Sequence, residues 1–249
     1  MIHIVVPMGG EGRLFTERGY TFPKPLVAIA GEPLIELVVR NLTPPEPHRF
    51  VFVCRREHVD AYALADVLRL IAPDCHIVTT LKPTGGALCS VLLGLEYLQH
   101  DGELLIANAD QCVDVPVQSF LEAARAGAWD GYMMTFPNTH PRWSYARVED
   151  DQVVAVAEKQ PISRHATAGL YYFRRGSDFV RAAERMLVKN ASVSGEFYVA
   201  PVYNELILRH QRVGIFPIDA SQMHGLGTPE EVEHYQARLH AERAVNIPC

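Results

Sequence analysis

The sequence predicts an α/β fold in three layers, α/β/α, around a mostly parallel, mixed central sheet. Three observations carry that reading. Up to residue 128, short apolar runs alternate with stretches of helical apolar spacing, the rhythm of repeated βα units. After Trp129 the rhythm changes, and four strand-like runs follow closely on one another, which adds antiparallel strands. No linker, repeat or low-complexity segment interrupts the chain, so residues 1–249 are read as one domain with two lobes, 1–115 and 116–249.

The elements follow in order. "IHIVVP" (2–7) is a buried strand leading into a glycine-rich loop. "PLIELVVRNL" (33–42) is a helix with Pro33 at or near its first turn, where a missing N–H costs nothing. "RFVFVC" (49–54) is a strand, and "EHVDAYALADVLRLI" (57–71) has helical spacing. "HIVTT" (76–80) is a strand, "GALCSVLLGLEYL" (86–98) a helix, "ELLIANAD" (103–110) a strand and "VQSFLEAARAG" (117–127) a helix. "GYMMTF", "YARVED", "VVAVAEK" and "AGLYYF" are the four later strands. Two helical stretches, "DFVRAAERMLVKN" and "YVAPVYNELILRH", precede a strand "VGIFPI" and a last helix from about Pro229.

Composition narrows the function classes. The chain has 249 residues, 48% of them hydrophobic and 21% charged, which suits an ordinary globular core. A formal net charge of -6 argues against a nucleic-acid partner, which selects a basic surplus. It leaves room for a small anionic ligand, for which a few local cations suffice. Cys54, Cys75, Cys89, Cys112 and Cys249 are odd in number, widely spaced and without a CxxC pair. That fits a reduced, cytoplasmic protein better than a disulfide framework or a zinc site. "MIHIVVPM" lacks the features of a secretory leader, and no apolar run approaches the roughly 20 residues that cross a bilayer, so no membrane partner is expected. Homo-oligomerisation is left open.

The loop after the first strand is the first candidate site. In α/β sheets, ligands lie beyond the carboxyl ends of the strands. Gly9, Gly10 and Gly12, next to Met8, let backbone amides approach an anion, and Arg13 and Lys24 supply charge. Arg13 can make forked contacts to phosphate oxygens, whereas Lys24 is a point charge. Pro23 and Pro25 stiffen the backbone on either side of Lys24. GxGxxG fails because residue 15 is Phe, and GxxxxGK[ST] is absent. The plain alternative is a flexible surface loop with incidental charge.

"GGEGRLFTERGYTFPKPLVAIAGEPLIE" resembles the N-terminal signature of sugar-1-phosphate nucleotidyltransferases: a glycine-rich loop with arginine, a spacer, PKP, then GxP before a helix. The likeness continues through "PTGGALCSVLLG", "LLIANADQ", "SYARVEDDQVVAVAEKQP", "TAGLYYF", "GEFYVAPVYNELI" and "HGLGTPEEVEHY", six further segments in the family's order. The resemblance implies a Rossmann-like nucleotide-diphospho-sugar transferase fold. The first lobe would bind the nucleotide and the second the sugar phosphate. It implies a reaction in which a sugar 1-phosphate attacks the α-phosphorus of a nucleoside triphosphate, pyrophosphate leaves, and the activated sugar goes to glycan assembly.

The same resemblance assigns roles. Asp110 would bind Mg²⁺, Arg13 the leaving pyrophosphate, and Lys24 the α-phosphate. Met8, Gly9, Gly10 and Gly12 would cradle the nucleotide, with Pro83, Gly85 and Gly86 at the base. Lys159 would meet the sugar phosphate. Tyr145, Glu158, Gly169 and Glu196 would surround the sugar. Each has a plain alternative: Asp110 as a turn former after a strand, Glu158 and Lys159 as a solvated pair at a strand end, and Trp143 and Tyr145 as strand packing instead of a sugar platform.

The pattern also departs from the family. Gly12 is followed directly by Arg13, without the usual Thr or Ser between, so Arg18 can share Arg13's task. The Tyr-Gly pair is Tyr145-Ala146. Where many members carry a second metal-binding Asp, Gly225 stands beside His224; either one carboxylate suffices, or His224 or Asp219 helps. Two other readings remain. One is a cytidylyltransferase acting on a non-sugar phosphate such as phosphocholine. The other is a catalytically silent sensor of nucleotide sugars.

Overall fold

A computed structural model describes residues 1–245. Cys249 lies outside the described residues. The elements in chain order are β1 (Ile2–Met8), α1 (Arg13–Glu17), β2 (Ala28–Ile29), β3 (Glu32–Pro33), α2 (Leu34–Leu42), β4 (His48–Arg55), α3 (Arg56–Tyr62) and α4 (Leu64–Ile71). Next come β5 (His76–Thr80), α5 (Ala87–Leu92), β6 (Leu104–Ala107), β7 (Gln111–Val113), α6 (Val117–Ala126), β8 (Gly131–Pro137), β9 (Ser144–Glu149) and β10 (Gln152–Glu158). The rest are β11 (His165–Phe173), α7 (Gly176–Val188), α8 (Tyr203–Ile207), β12 (Val213–Pro217), β13 (Met223–Gly225) and α9 (Pro229–Val245).

Nine strands form one mixed sheet that draws on both halves of the sequence. The parallel strands β5, β4, β1 and β6 continue through antiparallel β11 to β8, which pairs in parallel with β12. β9 and β10 join antiparallel to the first residues of β11. The three-layer, mostly parallel expectation therefore holds.

Both faces of the sheet are covered, and the period-two alternation of a strand decides which residue faces which way. In β1, Ile2, Ile4, Val6 and Met8 enter one core and Val5 the other; in β4, Phe50, Phe52 and Cys54 oppose Val51 and Val53. Continuous apolar runs such as "IVVPM" are what a strand buried on both sides requires.

Several boundaries differ from the expectation. The helix read over 57–71 is two helices, broken at Ala63, which takes a left-handed φ of 51°. Alanine gives no sequence signal for that conformation, as glycine would have. The stretch 86–98 is α5 plus a separate 3₁₀ turn at Leu95–Tyr97, and 198–210 contains only the five-residue α8 after a 3₁₀ turn. "ELLIANAD" is a strand only to Ala107, so Asp110 stands in the turn between β6 and β7. Among the described residues no helix is long and apolar enough to cross a membrane.

Candidate active site

A cavity of about 880 Å³ opens over the carboxyl ends of β1 and β6 and is lined from both halves of the sequence. At one end the β1 turn contributes Met8, Gly9, Gly10 and Gly12. Gly10 has open space where a side chain would stand, so its backbone faces the cavity directly. Gly12 packs against Lys24, with the Lys24 Cβ 3.2 Å from where a Cβ on Gly12 would lie. The PKP segment is a single 3₁₀ turn from Lys24 to Leu26, opened by Pro23 and closed by Val27 N–H donating to the Lys24 carbonyl at 3.2 Å. The proline-stiffened lysine is thus built as the sequence suggested.

Lys24 reaches across the cavity to Asp110, with Nζ 2.5 Å from Oδ2. Both side chains are about a quarter exposed. Asp110 is also fixed through its backbone, whose carbonyl accepts the Leu226 N–H at 2.7 Å. The segment after β13 therefore packs beside Asp110.

Arg13 is placed differently from the expectation. It is the first residue of the short helix α1 and not part of a loop. Its side chain is 77% exposed and paired with Glu11, although it still lines the cavity. Arg18 pairs with Glu230 and does not line the cavity.

The far end holds Arg142, Trp143, Ser144, Glu158, Lys159 and Glu196. Ser144 Oγ donates to the Glu158 carboxylate. Burial pushes the Glu158 carboxyl above its ordinary range, against the opposing effects of that hydroxyl and of Lys159. Lys159, at a left-handed φ of 56°, donates from Nζ to the Tyr198 hydroxyl at 2.6 Å, which in turn donates to Glu196. The bond to Tyr198 holds the Lys159 ammonium above its usual pKa.

Three expected site residues do not line the cavity. Tyr145 is fully buried in the core, and its hydroxyl donates to the His140 carbonyl at 2.6 Å. Gly169, at φ 74°, lies under the turn that carries Asp110: a Cβ there would sit 1.7 Å from Gln111 Oε1 and 2.8 Å from Asn108 Nδ2. Its missing side chain makes room for that turn. Gly85 offers its carbonyl to the Phe197 N–H at 2.7 Å, and Leu88 N–H donates to the Phe197 carbonyl at 3.0 Å. Gly86 lines the cavity, but a Cβ there would meet the Phe197 carbonyl oxygen at 2.4 Å, so its close approach is to protein backbone.

His224 and Asp219 are likewise engaged elsewhere. His224 pairs with Asp114 at 2.9 Å and contacts Arg238, and burial notwithstanding, Arg238 and His224 together hold Asp114 below the usual carboxylate range. Asp219 forms a capping box with Gln222 at a 3₁₀ turn.

Sequence reading missed Arg142, Thr167, Tyr171 and Tyr198. Thr167 and Tyr171 flank Gly169 at two-residue spacing on a strand, hence on one face, and their hydroxyls lie 3.0 Å apart. Tyr198 stands two residues beyond Glu196. That spacing was the available signal in both cases. Among the described residues no group of three or more His, Cys, Asp and Glu is arranged to hold a metal.

Residues 4–186 match the family described as the MobA-like NTP transferase domain. No curated protein matches the sequence. The fold is similar to that of a nucleoside-diphosphate-sugar pyrophosphorylase from Vibrio cholerae RC9, with a TM-score of 0.80 and 26% identity over 94% of this chain and 99% of that one. It is also similar to a UDP-glucose pyrophosphorylase complexed with UDP-glucose, with a TM-score of 0.78 and 17% identity over 97% and 100%. An inositol-1-phosphate CTP transferase from T. maritima gives a TM-score of 0.75 and 15% identity over 99% and 98%.

Proposed function

The chain belongs to the MobA-like NTP transferase family, and from that premise we propose that it joins a nucleoside triphosphate to a sugar 1-phosphate, releasing pyrophosphate. One observation carries the reading: Lys24 and Asp110 meet at 2.5 Å in a single cavity that the glycine turn after β1 and Lys159 also line. A lysine beside a carboxylate, between two anion-binding ends, is what alignment of two phosphates around one phosphorus demands.

The nucleophile is an oxygen of the acceptor's phosphate. With a second pKa of about 6 it is already largely ionised, and no general base is needed. The protein's work is alignment and charge. The amides of Gly9, Gly10 and Gly12 face the triphosphate, Lys24 meets the α-phosphate, and Arg13 takes the departing pyrophosphate. Pro83 and Gly86 border the base, and the Gly85 carbonyl fixes that border to Phe197. Lys159 holds the acceptor's phosphate, while Glu158 and Glu196 accept hydrogen bonds from hydroxyl groups.

The donor set suits Mg²⁺. Asp110 is a hard oxygen ligand with an open cavity beside it, and Mg²⁺ is commonly held by one or two carboxylates together with substrate phosphates. When bound, the ion neutralises charge on the phosphates.

A quaternary ammonium acceptor such as phosphocholine fits less well. It would seek an aromatic face, but Tyr198 already carries Lys159, 4.8 Å from the ring centre, and Trp143 carries Arg142 at 4.4 Å. Paired acceptor carboxylates and hydroxyls favour a polyhydroxylated ring.

The test crosses four nucleoside triphosphates with sugar 1-phosphates, inositol 1-phosphate and phosphocholine, reading pyrophosphate release and product mass in Mg²⁺. Release that needs both a nucleotide and a sugar 1-phosphate is the expected result. Tight nucleotide-sugar binding with no turnover would instead support a sensor, a reading to which the exposure of Arg13 lends weight.

A further inference from the structure

Among the described residues four basic side chains line the cavity: Arg13, Lys24, Arg142 and Lys159. Two serve the triphosphate in the reading above, and Lys159 serves the acceptor. A phosphate monoester carries about −1.5 to −2 charges near neutral pH. Lys159 brings one positive charge, and Glu158 and Glu196 stand beside it. Arg142 is the cation left to balance the rest. It lies in the segment between β8 and β9, next to Trp143, whose carbonyl accepts the Lys159 N–H at 3.0 Å. Arg142 and Lys159 are thus mounted on one piece of structure.

Arg142 is held from two sides. Its guanidinium lies 4.4 Å from the centre of the Trp143 ring, and Nη2 is 2.6 Å from Glu231 Oε1. Glu231 is fixed in turn. Its Oε2 accepts the N–H groups of Gly227 and Thr228 at 2.8 and 3.2 Å, and its own N–H donates to Thr228 Oγ1 at 3.3 Å, a capping box at the start of α9. The carboxylate occupies the space that a side chain on residue 225 would need: a Cβ on Gly225 would meet Glu231 Oε1 at 2.8 Å. Gly225, a departure from the expected sequence pattern, is therefore what admits Glu231. The two N–H groups and the positive end of α9 offset the carboxylate's charge. Arg142 is thus oriented by Trp143 and Glu231 where it lines the cavity.

We propose that Arg142 is a substrate-binding cation at the acceptor end, taking the acceptor's phosphate together with Lys159, and that Glu231 is the residue that positions it. The proposal rests on the nucleotidyltransferase reading. The planar guanidinium presents two parallel N–H donors to two phosphate oxygens, and the point charge of Lys159 completes the balance.

The probes are glucose 1-phosphate and inorganic phosphate, titrated calorimetrically into the full chain, with a nucleoside triphosphate titrated separately. Arg142→Ala weakens both phosphate probes by about tenfold or more, and Arg142→Lys recovers part of the loss. Glu231→Gln keeps an oxygen for the two N–H groups but loses the charge that orients Arg142. It weakens the probes by about three- to tenfold at an unchanged Tm. All three variants bind the triphosphate as the parent does, and in turnover they raise the acceptor KM alone. If Arg142→Ala binds both probes like the parent while Lys159→Ala does not, the assignment of Arg142 is overturned and the enzymatic reading stands. A parent chain that binds neither probe and releases no pyrophosphate overturns both.

Discussion

Lys24 Nζ and Asp110 Oδ2 lie 2.5 Å apart, although 86 positions separate the two residues in sequence. The contact brings the 3₁₀ turn that follows α1 and the turn after β6 to one point on the cavity lining. Asp110→Asn preserves shape and removes charge, so the fold is expected to survive and turnover to fall by about 10²-fold or more. Lys24→Ala is expected to lower kcat more than it weakens nucleotide binding. Steady-state kinetics beside a thermal melt check both, and turnover at the parent's rate in Asp110→Asn would remove Asp110 from the chemistry.

A methyl group on Gly86 has nowhere to go. It would stand 2.4 Å from the Phe197 carbonyl oxygen, at a φ of 117° that other residues rarely adopt. Gly86→Ala is expected to cost about 3 kcal/mol or more. A urea titration reads this, and a midpoint within error of the parent's contradicts the packing described.

His3 sets an acid limit. Burial first, then His100 and Arg49, lowers its pKa from 6.5 to about 4. The folded protein therefore refuses a proton that the unfolded chain accepts. The associated stability is present above pH 6.5 and is lost as pH falls through about 4. With a discount for partial exposure the loss is about 1–2 kcal/mol. Urea midpoints at pH 7 and pH 5 measure it, and His3→Gln should flatten the difference; an equal drop in that variant would place the effect elsewhere.

Tyr145 separates packing from binding. Its hydroxyl bonds the His140 carbonyl at 2.6 Å from a fully buried ring. Tyr145→Phe should lose about 1 kcal/mol of stability while the acceptor KM stays put. A raised KM at unchanged stability would return Tyr145 to the sugar site.

Those residues also show what a sequence can disclose. Short continuous apolar runs such as "FVFVC" announce strands buried on both faces, because they are too short for a buried helix and are rich in β-branched and aromatic residues. Lys24 between two prolines announced a fixed cation, and the turn after "LLIANAD" a placed carboxylate. The positions that escaped depend on packing between distant segments. Gly169 reads as an opening for a ligand, yet Gln111 and Asn108 fill the space above it. Tyr145 has the composition of a platform and the location of a core residue. Arg142 sits in "HPRWS", a stretch read for its aromatic residue, and only the approach of α9, some 90 residues later, gives it an acidic partner. The break at Ala63 leaves no trace because alanine is the strongest helix former and is neither a capping residue nor a left-handed one by preference.

The two backbone bonds that Phe197 makes with Gly85 and Leu88 bear on how the protein breathes. Phe197 lies between Glu196 and Tyr198, so one short segment is sewn to the start of α5 while Tyr198 accepts from Lys159 and donates to Glu196. The two bonds are made by one residue, so the segment cannot lift away from Gly85 and Leu88 without freeing both amides. The amides of Leu88 and Phe197 should then exchange with solvent in a single event, at one shared opening free energy, and a ligand that slows exchange at one should slow it equally at the other.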